Sequence, residues 1–288
     1  MRYAIITNPA SGKMTVDQKR SALAKAAQIL DAEIHGLDTT TAEDFLQCAR
    51  EIASRCDVAV IAGGDGTFSD IINAIDTARI PLGFLPLGTG NAMQHALGYK
   101  GNLADIAMRI RDGNTHDYDL IDCDGKWRAF TSSIGLEGTI VRFWDQYCAE
   151  GCSGFKTYVR AVLKSYFRAY QRATALITVD DATVEVKNLL NLIVVKQPYY
   201  GFGMKVVPQA RFDDRQLHIL YNNSGFGKTL IGVLTSFTIG NRIGQYHTAR
   251  QMTVQLDRPL LLQIDGNAGW EANAFAFQVL PKVLKIKC

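Results

Sequence analysis

The sequence predicts an α/β N-terminal domain with a parallel sheet, followed by a mainly antiparallel β-sandwich. Three observations carry this. Up to about residue 115, short apolar runs alternate with stretches of helical periodicity, the rhythm of parallel strands joined by crossover helices. Beyond residue 120, short β-branched or alternating runs bounded by Asp, Gly, Asn or Pro dominate, as antiparallel sheet requires. Between them, Asp112-Gly113-Asn114-Thr115-His116-Asp117-Tyr118 is rich in turn residues and marks the junction. The domains are accordingly set at 1–115 and 116–281.

In the first domain, strands are expected at 2–7, 57–62 and 81–85, and amphipathic helices around 16–30, 41–54, 68–78 and 90–98. In the second, strands are expected at 128–133, 175–179, 183–186, 189–195, 216–221, 253–256, 260–264 and 275–279, with helices near 155–172 and 226–240. The helix at 155–172 carries Phe155, Tyr158, Val159, Val162, Leu163, Tyr166, Phe167 and Tyr170 at helical spacing, opposite Lys156, Arg160, Lys164, Arg168 and Arg172. Its apolar face is expected in the core and its basic face in solvent, where it suits anionic phospholipid head groups.

Composition narrows the class of function. The 288 residues, 47% hydrophobic and 20% charged, make a well-cored soluble protein. A net charge of +3 is too weak to argue for nucleic acid but compatible with an anionic membrane surface. No run reaches the ~20 apolar residues of a spanning helix. Six cysteines form no C-x-x-C pair, which speaks against zinc and for a reducing cytoplasm. His35, His95, His116, His218 and His247 are too scattered for a nucleophile or metal cluster.

Chemistry is concentrated in three turns, each after an expected strand. They are Thr7-Asn8-Pro9-Ala10-Ser11-Gly12-Lys13, Gly63-Gly64-Asp65-Gly66-Thr67, and Gly88-Thr89-Gly90-Asn91. Glycine lets the main chain approach a phosphate, and a helix start exposes N–H groups, so the turns read as an anion site for a polyphosphate. Ligands of parallel sheets bind beyond the carboxyl ends of the strands, so the turns should share one crevice. An acid within a phosphate turn, Asp65, points to an intervening cation such as Mg²⁺; the competing role is to cap the following helix. Asp265-Gly266, taken alone, is a hairpin-turn dipeptide.

An N-P-x-S-G-K start, a G-G-D-G-T turn and a P-L-G-T-G-N turn, in this order, resemble the diacylglycerol kinase catalytic-domain family of bacterial lipid kinases, sphingosine kinases and ceramide kinases. The likeness extends through Thr131–Gly138, Tyr200–Ala210 and Ile264-Asp265-Gly266. NAD kinases share the G-G-D-G-T turn, but the Asn-Glu pair expected of them is absent from the sequence.

The resemblance implies an ATP- and Mg²⁺-dependent kinase acting on a hydroxyl of diacylglycerol, a sphingoid base or a similar lipid at a membrane surface. Asn8, Pro9, Ser11, Gly12, Lys13, Gly63, Gly64, Asp65, Gly66, Thr67, Gly88, Thr89, Gly90 and Asn91 would bind nucleotide. Asp65 and Asp119 would serve the metal, Asp265 would be the base, and Ser132 and Ser133 would shape the cleft. The final segment 282–288 would return to the first domain. Two positions depart from the family pattern: Ala92 follows Asn91, and Asn267 stands where a glutamate is expected. Alternatives are a kinase of a soluble hydroxylated metabolite, or a nucleotide- or lipid-binding protein with weakened catalysis. A cytoplasmic enzyme, peripheral at the inner membrane surface, is expected, with a homodimer left open.

Overall fold

A computed structural model describes residues 1–152 and 154–288. The chain divides into two compact units, Met1–Asp119 with Pro281–Cys288, and Leu120–Leu280.

The N-terminal unit is built on parallel strands β1 (Tyr3–Thr7), β2 (Glu33–His35), β3 (Val58–Gly63) and β4 (Leu82–Pro86), in the order β4-β3-β1-β2. β3 is buried along its whole length, which is why it reads as the unbroken apolar run Val58–Ala62. The crossovers are α1 (Val16–Leu30), α2 (Ala42–Ala53), α3 (Asp65–Ala74), α4 (Ala92–Ala96) and α5 (Leu103–Asp112). Thr15, Thr41 and Asn102 cap α1, α2 and α5, each in a reciprocal box with the third helical residue. Two elements went unforeseen in this unit. β2 has only three residues, too few for alternation to show, and α5 is the other. The chain end lies beside β4, with Ile286 paired in parallel to Leu82.

β5 (Thr115–Cys123) leads toward the C-terminal unit. There β6 (Trp127–Ala129), β7 (Thr131–Gly135), α6 (Leu136–Ala149), α7 (Phe155–Lys164), β8 (Ala173–Val179), β9 (Ala182–Leu189), β10 (Asn191–Val195), β11 (Leu217–Asn222), α8 (Phe226–Ser236), β12 (Gln245–Ala249), β13 (Gln251–Ile264) and β14 (Asn267–Lys287) follow. The order β12-β11-β10-β7-β13-β14 is antiparallel throughout, and β8 pairs with both β13 and β9. This is the β-sandwich the sequence predicts. Its core includes Ile134, Ile177, Leu192, Ile219, Val254, Leu262 and Phe277. The expected strands 253–256 and 260–264 are one, β13, with its register against β14 shifted between Gln255 and Leu260. Helix α6, strand β5 and strand β12 were not anticipated.

The helix expected at 155–172 is α7 continued by a π turn, Ser165–Ala169. Its apolar face also differs from expectation. Tyr158, Val162, Tyr166 and Tyr170 pack on Leu136, Ile140, Tyr147 and Leu190, whereas Phe155, Val159, Leu163 and Phe167 are exposed. The basic side is only partly solvated. Arg160 lies 4.5 Å from the Tyr147 ring centre, Lys164 lies 4.1 Å from that of Phe143, and Arg172 donates to the carbonyls of Asn188, Asn223 and Ser224.

Candidate functional site

In the N-terminal unit the three turns meet. A Cβ built on Gly88 would lie 2.5 Å from Gly64 Cα, and one on Gly12 would lie 3.1 Å from the Leu87 carbonyl oxygen. The amides of Leu87 and Gly88 both donate to the Gly63 carbonyl, at 2.8 and 3.2 Å. The glycines of the second and third turns therefore serve first to let two backbones touch. Only Gly12, at φ 68°, also needs the left-handed region.

Asp65 is held by the third turn. It does not cap α3, whose N-cap Gly64 makes no side-chain bond. Its two carboxylate oxygens accept the amides of Ala92 (2.7 Å) and Met93 (3.0 Å), the first turn of α4. The acid in the second turn thus accepts the two amides that open α4, the helix after the third turn. Burial pushes its carboxyl above the ordinary range, while the two amides act in the opposite direction.

The first turn is held from below by Lys19. Its ammonium donates to the carbonyls of Asn8 and Pro9, both at 2.7 Å, and its side chain is buried. Asn8 Oδ1 accepts the Ala10 amide, and Ser11 donates through both its amide and its hydroxyl to the Asn8 carbonyl. Lys19 was missed, although a signal existed: it shares the buried stripe of α1 with Leu23, Ala26 and Leu30, where an unpartnered lysine would be costly. Lys13 and Thr89 are exposed, and Thr67 is buried against Gly63. Asn91 donates to the Gly88 carbonyl, but its Oδ1 is buried with no hydrogen-bond partner, as is Thr7 Oγ1 at the end of β1. What the turns present outward is the start of α3 and the Lys13 ammonium.

Asp119 is fully buried and accepts the Lys282 amide at 3.0 Å, fixing the chain where it enters its last segment. Among the described residues no group of three or more His, Cys, Asp or Glu is placed to hold a metal ion.

In the C-terminal unit, Asp265 and Gly266 have φ 49° and 90° and connect Ile264 to Asn267, a two-residue turn between β13 and β14. The Asp265 side chain is nonetheless buried. Its Oδ1 accepts the amides of Phe130 (3.1 Å) and Thr131 (2.7 Å) and the Thr131 hydroxyl (3.1 Å). Three donors thus converge on one carboxylate oxygen. Asn267 is exposed. Ser132 and Ser133 donate to Gln263, through its carbonyl and its side-chain oxygen respectively. Glu137, in the first turn of α6, was not singled out as a site residue. Burial raises its pKa to about 7, against which a hydrogen bond from Asn191 acts.

Residues 2–123 match the diacylglycerol kinase catalytic domain, and residues 133–288 match the YegS C-terminal NAD kinase beta sandwich-like domain. A diacylglycerol kinase of Bacillus subtilis is 24% identical over 282 residues, covering 93% of this chain and 90% of that one. One of Staphylococcus carnosus is 24% identical over 287 residues, covering 95% and 90%. A crystal structure of a diacylglycerol kinase from Bacillus anthracis superposes with a TM-score of 0.72 at 18% identity, covering 99% of this chain and 96% of that one. An NAD kinase from Archaeoglobus fulgidus, solved in complex with ATP, superposes with a TM-score of 0.54 at 10% identity, covering 100% and 94%.

Proposed function

This chain belongs to the diacylglycerol kinase catalytic-domain family, and from that premise we propose that it transfers the γ-phosphoryl group of ATP to a hydroxyl of a membrane lipid, a diacylglycerol or a sphingoid base. The start of α3 and Lys13 receive the phosphates, and Gly63, Gly64, Gly66, Thr67, Gly88, Thr89, Gly90 and Asn91 form the two turns that border them. Asn8, Pro9, Ser11 and Gly12 shape the first turn, with Lys19 beneath it. Asp265 takes the proton of the acceptor hydroxyl as its oxygen attacks phosphorus, the general-base task a positioned carboxylate can perform. Mg²⁺ would accompany ATP and neutralise its phosphate charge, with Asp65 and Asp119 the acids proposed to serve it.

One observation favours a lipid over a soluble acceptor. Phe155, Leu163, Phe167, Leu230, Leu234 and Ile239 are all more than 40% exposed, on α7, its π turn, α8 and the segment after it. Phe155 meets Phe237, and Phe167 meets Phe226, with ring centres 6.0 and 5.0 Å apart, so the two segments form one apolar surface. Neither 155–172 nor 226–243 contains an acidic residue, while Lys156, Arg160, Lys164, Arg168, Lys228 and Arg242 are interspersed. An apolar patch with cations only is complementary to an anionic bilayer surface. The described residues include no helix long and apolar enough to span one.

The test is transfer of labelled phosphate from ATP to lipids in mixed micelles, against soluble polyols, with and without Mg²⁺. Labelled lipid is the expected product; labelling of soluble polyols alone would overturn the lipid reading.

A further inference from the structure

In the C-terminal unit, three buried side-chain atoms without hydrogen-bond partners fall in one cluster: Glu137 Oε2, Asn191 Oδ1 and Tyr200 Oη. Glu137 and Asn191 are joined, since Asn191 Nδ2 donates to Glu137 Oε1 at 2.6 Å. Their meeting is fixed by register. Asn191 on β10 stands opposite Gly135 on β7, and α6 starts at the next residue, so Glu137 rises beside the amide. Gly135, at φ 110°, lets the strands approach: a Cβ there would lie 2.6 Å from the Leu190 carbonyl oxygen and 3.2 Å from the Tyr170 hydroxyl.

Tyr200 comes from the segment after β10, and it feels the charges of both Glu137 and Asp265. Ser133 lies alongside its hydroxyl without a well-formed hydrogen bond. Tyr158 and Tyr170 also feel Glu137, and Tyr158 packs on Phe202 with ring centres 5.7 Å apart. Polar groups line one side of β7 from Asp265 at Thr131, through Ser133, to Glu137 beyond Gly135.

Buried polar atoms are nearly always paired, so three orphans in one aromatic-walled cluster call for a partner. Its chemistry follows from theirs. Asn191 Oδ1 only accepts, Glu137 Oε2 accepts when ionised, and the Tyr200 hydroxyl can do either. The nearby cation Arg172 donates to the Asn188, Asn223 and Ser224 carbonyls. An anionic group would face the Glu137 carboxyl, with Arg172 already engaged by these carbonyls. A head rich in O–H or N–H donors fits.

We propose that Glu137, Asn191 and Tyr200 form an acceptor subsite that holds a donor-bearing lipid head group, a glycerol hydroxyl or the amino alcohol of a sphingoid base. The inference rests on the lipid-kinase reading and adds to it the residues that select the acceptor. Asp265 is bonded to Thr131 on β7, the strand that leads into Glu137, so the subsite and the proposed base share one strand.

The experiment compares Tyr200→Phe and Glu137→Gln with the unaltered chain in mixed micelles, using a short-chain diglyceride and a sphingoid base. It reads KM for each acceptor, KM for ATP, and acceptor binding by calorimetry without ATP. Both variants keep the side-chain shape, and Tyr200→Phe deletes a hydroxyl that has no partner, so its melting temperature should not fall. The expected result is an acceptor KM raised about 5- to 50-fold with the ATP KM unchanged. A larger effect of Glu137→Gln on the sphingoid base identifies an ammonium ligand, and an equal effect on both identifies hydroxyls. Unchanged acceptor KM and binding in both variants would overturn the subsite and leave the kinase reading standing. Binding without phosphorylation in the unaltered chain, weakened in the variants, would support the subsite and sink the kinase reading. Neither binding nor phosphorylation would overturn both.

Discussion

The carboxylate of Asp65 accepts the amide of Ala92 at 2.7 Å, so an acid carried by the second glycine turn closes the helix that the third turn begins. The bond, with its neighbour to Met93, makes the two turns one mechanical piece. Asp65→Ala strips two amides of their acceptor. It should lower stability by about 2 kcal/mol in urea titrations performed without nucleotide or Mg²⁺. A loss that appears only when Mg²⁺-ATP is present would instead make Asp65 a metal-linked residue.

The contact of Gly64 with Gly88 has its own test. Gly88→Ala forces a Cβ to within 2.5 Å of Gly64 Cα, an overpacking that should cost about 1–3 kcal/mol and abolish ATP binding measured by calorimetry. Gly227→Ala, where the new Cβ meets nothing within 4 Å in α8, should stabilise by up to about 1 kcal/mol. Equal effects at the two sites would refute the packing role of Gly88.

Asp265→Asn retains an oxygen for the Phe130 and Thr131 amides and should fold normally. As a base Asp265 contributes to turnover, not to nucleotide affinity. The variant should lose ~10²–10⁴-fold in lipid phosphorylation while its ATP affinity stays within about twofold. Full activity would remove Asp265 from the chemistry.

Glu137 gives a pH signature. Its carboxyl titrates near 4.5 when exposed and near 7 in the folded chain. Between these values the folded state keeps a proton that the unfolded state has released, so stability falls as pH rises from about 4.5 to 7 and is flat above. The fall attributable to this group is roughly 3 kcal/mol. Tyr158, Tyr170 and Tyr200, which feel its charge, are themselves shifted upward and stay neutral throughout this window. Denaturation at pH 5 and 7.5 should show the difference in the unaltered chain and a smaller one in Glu137→Gln; identical differences would show that Glu137 is not buried in solution.

The three turns, the parallel rhythm before residue 115 and the antiparallel runs after 120 were readable because each rests on local chemistry. A strand entering a glycine turn, a capping box, or alternation along a strand needs only neighbouring residues to declare itself. The short β2, the helix α6 and the strand β12 lacked such a local signature.

The sequence by itself determined where phosphate-type turns occur, that two kinds of sheet follow one another, and that an Asp-Gly turn ends β13. The tertiary structure alone decided what the charged side chains do. Asp65 reaches a helix 27 residues further on, Lys19 reaches back to Asn8 and Pro9, and Asp265 binds amides 134 and 135 residues earlier. It also decided that Phe155, Val159, Leu163 and Phe167 face outward, and that Glu137, Asn191 and Tyr200 are buried together. The physical reason is the same throughout. A side chain's partner and burial depend on which distant strands pair and which helices cover them, and such pairings leave no period in the chain.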